Sequence, residues 1–293
     1  MNGMTIHPLV PTDGTGEKKT VGGKAANLAL LMNAGLPVPA SWVVPAAVLD
    51  HHLAMNGLME RVAIVVRHPD EAGCSELRNA IREMAMDDAL IKGLVEVETG
   101  KWSVRSSAVM EDGSRASYSG LFRTSLGVGN EGLGRAVRDV WASAFDPAAL
   151  AYHRRITGSH DYPRMAVLLC SMIPADVAGI AFTADPVGGN PFEMSIVACR
   201  GLGTRAVGGS VGCDQWSVAW DDFQVIRSRK GVQPSGDFMD DDEGVVERPI
   251  PASLQSEQCL SSTTLRGVAE LAKAKAVKRC ASESEFSSKR AVF

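Results

Sequence analysis

Residues 21–37 read VGGKAANLALLMNAGLP, and this stretch decides how the fold begins. Leu28 and Leu31 recur at helical spacing together with the neighbouring methionine, so they lie on one face of a helix. Gly35 stands where a glycine commonly ends a helix in the left-handed conformation, and the proline two residues later cannot continue one. The stretch therefore predicts a helix over residues 22–36, opened by a pair of glycines.

Lys24 falls in the first turn of this helix, where the helix dipole disfavours a cation. The glycines before it leave backbone N–H groups that can meet an anion, and the lysine adds a point charge beside them. Lys24 is therefore a candidate phosphate-binding residue. The segment is not a Walker A loop, because Lys18 stands in place of its first glycine and Ala25 in place of its Ser/Thr. A surface lysine after a glycine turn is the alternative.

Arg105 lies in a second informative stretch, SVRSSAVMEDGSRASYSG at 103–120. Residues 101–108 predict a strand, and residues 109–120 predict a flexible loop of small residues. A guanidinium presents five fixed donors that suit bidentate phosphate recognition, and a loop of small residues can close over a polyphosphate. An arginine in a surface ion pair is the alternative.

The remaining segments predict a mixture of helices and strands. Helices are expected at residues 45–60, 75–98, 130–157 and 261–280. Strands are expected at residues 165–173, 179–183 and 195–199, in a hairpin of 215–220 with 223–229, and at the strand-like end 290–293. Residues 233–244 (QPSGDFMDDDEG) predict an exposed acidic loop. The fold class is α+β, or mixed α/β.

Three further motifs favour structural roles. The run GVGNEG at 127–132 matches a dinucleotide fingerprint, but a helix follows where a second strand with an acidic end is required. His51, His52 and His160 lack a catalytic setting and are interpreted as exposed or packing residues. Asp185, before a proline, is interpreted as the start of a turn.

Composition excludes several classes of protein. The 293 residues carry a net charge of −4, which gives no reason to expect binding to nucleic acid or a membrane. We find no run of about 18 apolar residues and no signal peptide at the start. The six cysteines form no CxxC pair, which indicates reduced thiols in a cytoplasmic protein and makes a zinc site unlikely.

Four blocks in order resemble one family. VGGKAANLALLMNAGLPVPASWVV, WSVRSSAVMEDGSRASYSGLFRTSLGV, MAVLLCSMIPADVAGIAFTADPVGGN and CRGLGTRAVGGSVGCDQWSV are similar to the ATP-binding domain shared by phosphoenolpyruvate synthase, pyruvate phosphate dikinase and rifampin phosphotransferase. The resemblance covers about residues 20–293. It implies an ATP-grasp-like fold in which two subdomains clamp MgATP.

The resemblance also implies roles for individual residues. The family's ATP contacts match Lys24, Arg105, Gly120 and Thr124, of which Lys24 and Arg105 neutralise phosphate charge during catalysis. Glu285, followed by an aromatic residue, matches the acid that faces the metal or the phosphates, so it is the expected magnesium ligand.

Two positions depart from the family's pattern. Cys170 stands where the family usually has a glutamine that touches the base or sugar, so the resemblance implies that it is an ATP contact, although a thiol is a poor hydrogen-bond partner. Thr204 replaces the usual glutamate of a GLGE motif. We expect an N-terminal extension over 1–19, the first part of the ATP-grasp domain over 20–185, and its second part over 186–293, ending before a Gln-x-Arg strand.

The resemblance implies a phosphotransferase that uses ATP and Mg²⁺. In the family, ATP is split to AMP and phosphate, and a phosphoryl group passes to a histidine on a swivelling domain, which is expected here on a separate domain or subunit. The final acceptor is open between pyruvate, an antibiotic hydroxyl and a phenol. One alternative is a non-catalytic or truncated ATP-binding module, and another is an α+β binding protein with an anion site.

Overall fold

The computed structural model describes residues 6–8, 18–109, 120–208, 212–282 and 290–292. They form two compact units, Met1–Met172 and Ile173–Phe293. The sequence predicts a division of the ATP-grasp domain into a first part that ends at residue 185 and a second part that begins at residue 186. That division concerns the functional parts of the domain, and it stays a prediction.

Unit 1 combines one antiparallel sheet with helices. In chain order its elements are β1 (His7–Pro8), α1 (Lys18–Asn33), β2 (Ser41–Val44), α2 (Ala46–Met55), α3 (Met59–Arg67), α4 (Glu71–Glu83), α5 (Asp88–Val95), β3 (Trp102–Ala108), β4 (Thr124–Val128), α6 (Leu133–Ser143), α7 (Pro147–Thr157) and β5 (Met165–Ser171). The strands lie in the order β1-β2-β5-β3-β4. Every pair of neighbours in this sheet is antiparallel.

The two faces of this sheet are covered differently. Alternate residues of a strand point to opposite faces. Trp102 and Val104 of β3 belong to a large core with apolar residues of α2 to α6. Leu168 and Cys170 of β5 belong to a small core with the alanines of α1. The sheet is thus buried by a helical layer on one face and, among the described residues, mainly by α1 on the other.

The end of α1 confirms the predicted helix stop. Gly35 has φ +69°, in the left-handed region that favours glycine. The N–H of Gly35 donates to the carbonyl of Met32, and the N–H of Leu36 donates to that of Leu31. This is the hydrogen-bond pattern of a Schellman motif, which satisfies carbonyls that the helix end leaves open.

The other predicted helices of unit 1 are present but subdivided. The segment 45–60 contains α2 and the start of α3, with a turn at Gly57 (φ +67°) between them. Residues 75–98 contain most of α4 and all of α5, and residues 130–157 contain a short 3-10 turn, α6 and α7. Aspartates cap three of these helices, because Asp70, Asp87 and Asp146 each accept from a backbone N–H of the first turn.

Unit 2 is built on a second antiparallel sheet. Its elements are β6 (Val177–Phe182), β7 (Glu193–Arg200), α8 (Thr204–Val207), β8 (Asp214–Ala219), β9 (Val225–Arg229), β10 (Ser235–Asp240), β11 (Gly244–Pro249), α9 (Ala252–Gln255), α10 (Ser262–Ser282) and β12 (Arg290–Val292). The main sheet has the order β12-β6-β7-β8-β9, and β10 and β11 form a separate hairpin. Helix α10 packs through Leu265, Ala269 and Ala272 on one face of the main sheet.

The predicted acidic loop at 233–244 is wrong, because β10 and β11 form a hairpin there. One of its acidic residues, Asp240, shapes the turn. Asp240 accepts hydrogen bonds from the N–H groups of Asp242 and Glu243, and it pairs with Arg248 across the hairpin. The predicted hairpin of β8 and β9 is confirmed.

Two residues that the sequence assigned to structural roles have them. His52 is fully buried, with Nδ1 on the carbonyl of Val48 and Nε2 accepting from the N–H of Asp87. The carboxylate of Asp185 accepts from the N–H groups of Val187 and Gly188, which makes it the first residue of a turn. None of the helices in the described ranges is long and apolar enough to span a membrane.

Candidate functional site: the junction of α1 with β3

Gly22 breaks α1 and rests directly on strand β3. Its φ of 77° and ψ of 173° are not helical, so the regular helix begins after it. A Cβ at this position would lie 1.9 Å from the carbonyl oxygen of Ser107 and 2.6 Å from its Oγ. Only glycine fits, on grounds of both backbone conformation and space. Gly22 therefore serves a close approach of two backbones.

Ser107 also binds the beginning of the helix. The N–H of Ala25 donates to Ser107 Oγ over 3.1 Å, and the serine is fully buried. The first N–H groups of a helix have no partner within the helix, so this hydroxyl satisfies one of them. Lys24 lies between Gly22 and Ala25, so both neighbouring contacts hold its backbone against β3.

Arg105 lies on the same face of β3 as Ser107, two residues away. In the register of the sheet it is opposite Leu168 of β5 and Thr124 of β4. Residues two apart on a strand are roughly 7 Å apart along it. The structure therefore brings the GGK turn and Arg105 to one region of the α1 face.

The guanidinium of Arg105 is incompletely satisfied. Its Nε is buried and has no hydrogen-bond partner among the described residues. Buried donors without a partner are rare in folded proteins and commonly mark a ligand or an ordered water. Among the described residues the same is true of nitrogens on Trp102, Arg138 and Trp141, so it is the position of Arg105 on the α1 face, together with its open donor, that favours a ligand. A bound anion would supply the acceptor that the described protein groups do not.

Thr124 lies beside Arg105 on the neighbouring strand, and Gly120 comes four residues before Thr124 in the chain. Thr124 is exposed and directly opposite Arg105, at a distance typical of cross-strand neighbours, so its hydroxyl is accessible to a ligand at Arg105. Gly120 is exposed with φ +80°, and a Cβ at this position would have no atom within 4 Å, so its backbone conformation alone requires glycine. The preceding residues 110–119 lie outside the described residues.

Cys170 is part of the core beneath α1. It is 8% exposed and lies between Ser41 of β2 and Ser103 of β3 in the register of the sheet. Burial raises the pKa of its thiol, although the Ser41 hydroxyl and the positive charge of Arg105 oppose the rise. Its thiol is thus a neutral group close to Arg105, and its assignment as an ATP contact stays a prediction. Glu285 lies outside the described residues.

The GLGT segment of unit 2 is fastened to the β10–β11 hairpin by a residue that the sequence analysis missed. The hydroxyl of Thr204 donates to the carboxylate of Asp237, and the N–H of Leu202 donates to the Asp237 carbonyl over 2.7 Å. A Cβ on Gly201, which has φ +80°, would lie 2.3 Å from that carbonyl oxygen. A glutamate at 204 would bring a second carboxylate to Asp237. No local pattern signals this partner, because it lies 33 residues along the chain in a segment interpreted as a loop.

One face of the unit 2 sheet is polar around β8. Ser195, Ser217 and Arg227 are opposite one another on β7, β8 and β9. They line a depression of about 340 Å³. The Ser217 hydroxyl and Arg227 hold the pKa of the neighbouring Glu193 below its ordinary value. Because Glu193 already neutralises Arg227, this depression is a weaker candidate for an anion site than Arg105.

Comparisons with known proteins identify the family of this chain. The family model of the pyruvate phosphate dikinase AMP/ATP-binding domain matches residues 18–286. A probable phosphoenolpyruvate synthase of Methanocaldococcus jannaschii is 30% identical over 271 residues, which cover 85% of this chain and 23% of that protein. The phosphoenolpyruvate synthase of Aeropyrum pernix is 31% identical over 253 residues, covering 80% of this chain and 31% of that protein.

A third relative carries a different name. The rifampicin phosphotransferase of Bacillus cereus is 32% identical over 228 residues, which cover 72% of this chain and 26% of that protein. The chain thus spans between 23% and 31% of the length of these three relatives. The matched range includes both α1 and β3, and it extends into unit 2 as far as residue 286. The chain belongs to the family of the pyruvate phosphate dikinase AMP/ATP-binding domain.

Proposed function

We propose that the chain binds the phosphates of ATP on the α1 face of unit 1, and that Lys24 and Arg105 make the principal contacts. The observation that carries this proposal is the junction of α1 with β3. It holds the backbone of Lys24 against the strand that bears Arg105, whose Nε is buried without a described partner. Family membership supports a nucleotide as the anion.

The two cations have complementary properties as phosphate ligands. The guanidinium of Arg105 is planar, permanently charged and able to donate two parallel hydrogen bonds, so it fixes the orientation of a phosphate group. The ammonium of Lys24 is a compact point charge on a flexible stem. Charge that develops on the phosphate oxygens during transfer is stabilised by both groups, and no side chain of the chain needs to act as a nucleophile.

Magnesium fits this arrangement only as a partner of the nucleotide. No cluster of three metal-ligating side chains occurs in the part of the chain that the structure describes. Mg²⁺ commonly takes one or two carboxylates together with substrate phosphates, so a single acid suffices. We propose Glu285 for this role from the resemblance alone. Bound Mg²⁺ would neutralise charge on the phosphates.

We further propose that the phosphoryl group passes to a histidine on another domain or polypeptide. The greater length of the relatives and the phosphotransferase among their names support this proposal. The transfer is tested by incubating the chain and a histidine-bearing partner polypeptide with ATP that carries radioactive phosphorus in its β- and γ-phosphates. Acid-labile, base-stable label on the partner is the expected result, and its absence while ATP still binds would contradict transfer but leave ATP binding intact.

Calorimetric titration of the 293-residue chain with MgATP tests the binding step. We expect micromolar affinity, and at least a tenfold loss in Arg105→Ala, because a hydrogen bond to a charged group contributes about 1.5–3 kcal/mol. Arg135→Ala is the matched control, since Arg135 is exposed on α6, on the sheet face opposite α1. No binding by the unchanged chain, or equal binding by Arg105→Ala, refutes the proposal.

A further inference from the structure

We infer that Ser107 is a positioning residue for Lys24, an inference that rests on the proposed function. Ser107 supplies from strand β3 the helix cap that Gly22 cannot supply itself. The regular part of α1 begins after Gly22, so Gly22 occupies the N-cap position and Ala25 the third helical position. A serine or aspartate at the N-cap would accept from that third N–H, but glycine has no side chain to do so.

The Ser107 hydroxyl takes over this task from across the sheet. Its Oγ accepts from the N–H of Ala25 over 3.1 Å, between residues 82 apart in sequence. The close approach needed for this bond exists because Gly22 has no Cβ, which would lie 2.6 Å from the same oxygen. The glycine and the serine therefore act as one device, in which the absence of a cap on the helix creates the space for a cap from the strand.

This device fixes Lys24 with respect to Arg105. A cap within the helix would order the helix end and leave its distance from the sheet free. A cap on β3 ties the helix end to the strand that carries Arg105, two residues from Ser107 and on the same face. Because phosphate recognition depends on the separation of the two cations, Ser107 acts on ATP through Lys24 and does not itself touch the ligand.

Ser106 shows that this role belongs to one of two adjacent serines. Both are buried in β3, at 3% and 0% exposed, but alternation turns Ser106 to the face covered by the helical layer. Ser106→Ala is therefore a control matched in residue type, strand and burial. It is expected to leave MgATP affinity within twofold of that of the unchanged chain.

A double-mutant cycle tests the inference. MgATP affinity is measured by calorimetry for the unchanged chain and for Ser107→Ala, Lys24→Ala and the double variant, after circular dichroism has shown that each is folded. We expect Ser107→Ala to weaken binding about fivefold, which is the effect of losing one typical cap. In the Lys24→Ala background the same change is expected to weaken binding less than twofold. If Ser107→Ala does not fold, Ser107→Cys takes its place, since a thiol is a weaker acceptor of similar shape.

The possible outcomes separate this inference from the proposed function. Equal losses in both backgrounds would show that Ser107 acts through general stability and would overturn the inference alone. Unchanged affinity in Ser107→Ala would also overturn it while ATP binding stands. Failure of the unchanged chain to bind MgATP would overturn the proposed function, and this inference with it.

Discussion

Replacement of Gly22 by alanine perturbs the α1–β3 junction most directly. The new Cβ would lie 1.9 Å from the Ser107 carbonyl oxygen, about 1.5 Å inside the 3.4 Å at which ordinary contact begins. The β3 backbone resists this displacement, because Ser107 is paired with Ala166 of β5 in the sheet. Helix α1 must therefore move away from β3, which separates Ala25 from its acceptor.

Gly22→Ala is expected to lower the free energy of unfolding by more than the strain of a left-handed backbone alone would. A non-glycine residue at such a φ and ψ costs about 1–3 kcal/mol. Loss of the hydrogen bond from Ala25 adds about 1 kcal/mol, and the alanine-rich face of α1 loses packing on the sheet as well. We expect Gly22→Ala to lower the free energy of unfolding of unit 1 by about 3 kcal/mol or more, and to abolish measurable MgATP binding.

Gly35→Ala is the matched control at the other end of the same helix. Gly35 also has a left-handed backbone, with φ +69°, but no atom lies within 4 Å of a Cβ there. Its replacement should cost only about 1 kcal/mol of backbone strain and should leave MgATP affinity unchanged. Urea unfolding followed by circular dichroism measures both variants. The reasoning is refuted if Gly22→Ala is no more destabilising than Gly35→Ala.

Three predictions concern unit 2. Glu193 has a lowered pKa in the folded chain, so its contribution to stability is present above pH 4.5 and is lost as the pH falls through the folded pKa. Glu193→Gln should therefore make the free energy of unfolding depend less on pH below pH 4.5. The same pH dependence in both proteins would contradict this. The carboxylate of Asp214 is buried, at 1% exposed, and accepts from the N–H groups of Gly231 and Cys259. Asp214→Ala should therefore lower the free energy of unfolding by about 2–4 kcal/mol, whereas the control Asp221→Ala, at an exposed position, should lower it by less than about 0.5 kcal/mol. Equal losses of the two variants in urea unfolding would contradict this prediction. Burial raises the pKa of Cys199 to about 12, so iodoacetamide at pH 8 should label it only after unfolding, as peptide mass spectrometry would detect; equal labelling of the native chain would count against its burial.

Local signals predicted much of unit 1. Gly35 and the proline after it determined the end of α1, since a helix stop is set by residues adjacent in sequence. The strand that contains Arg105 could also be predicted, because its signal too lies in residues adjacent in sequence. The role of Ser107 could not, because its partners lie 82 and 85 positions earlier in the chain and nothing in the run RSSA distinguishes one serine from the other until the face of the strand is known.

Unit 2 was harder to predict where acidic residues pair with distant cations. The segment around Asp237 and Asp240 has the composition of an exposed loop, yet it forms β10 and the following turn. Arg205 and Arg248 offset these charges from α8 and β11. Composition alone carries no information about such partners. The hydrogen bond of Asp237 to Thr204 was hidden for the same reason, since it joins two segments that come together only in the fold.

Amide hydrogen exchange with and without saturating MgATP locates the ligand most directly. The account predicts slower exchange on binding in peptides that cover residues 22–27 of α1 and 102–108 of β3. Peptides from α4 (Glu71–Glu83), on the far face of the sheet, should exchange at an unchanged rate. Protection confined to peptides outside the α1–β3 junction, under conditions where calorimetry shows binding, would contradict the claim that Lys24 and Arg105 form the phosphate site.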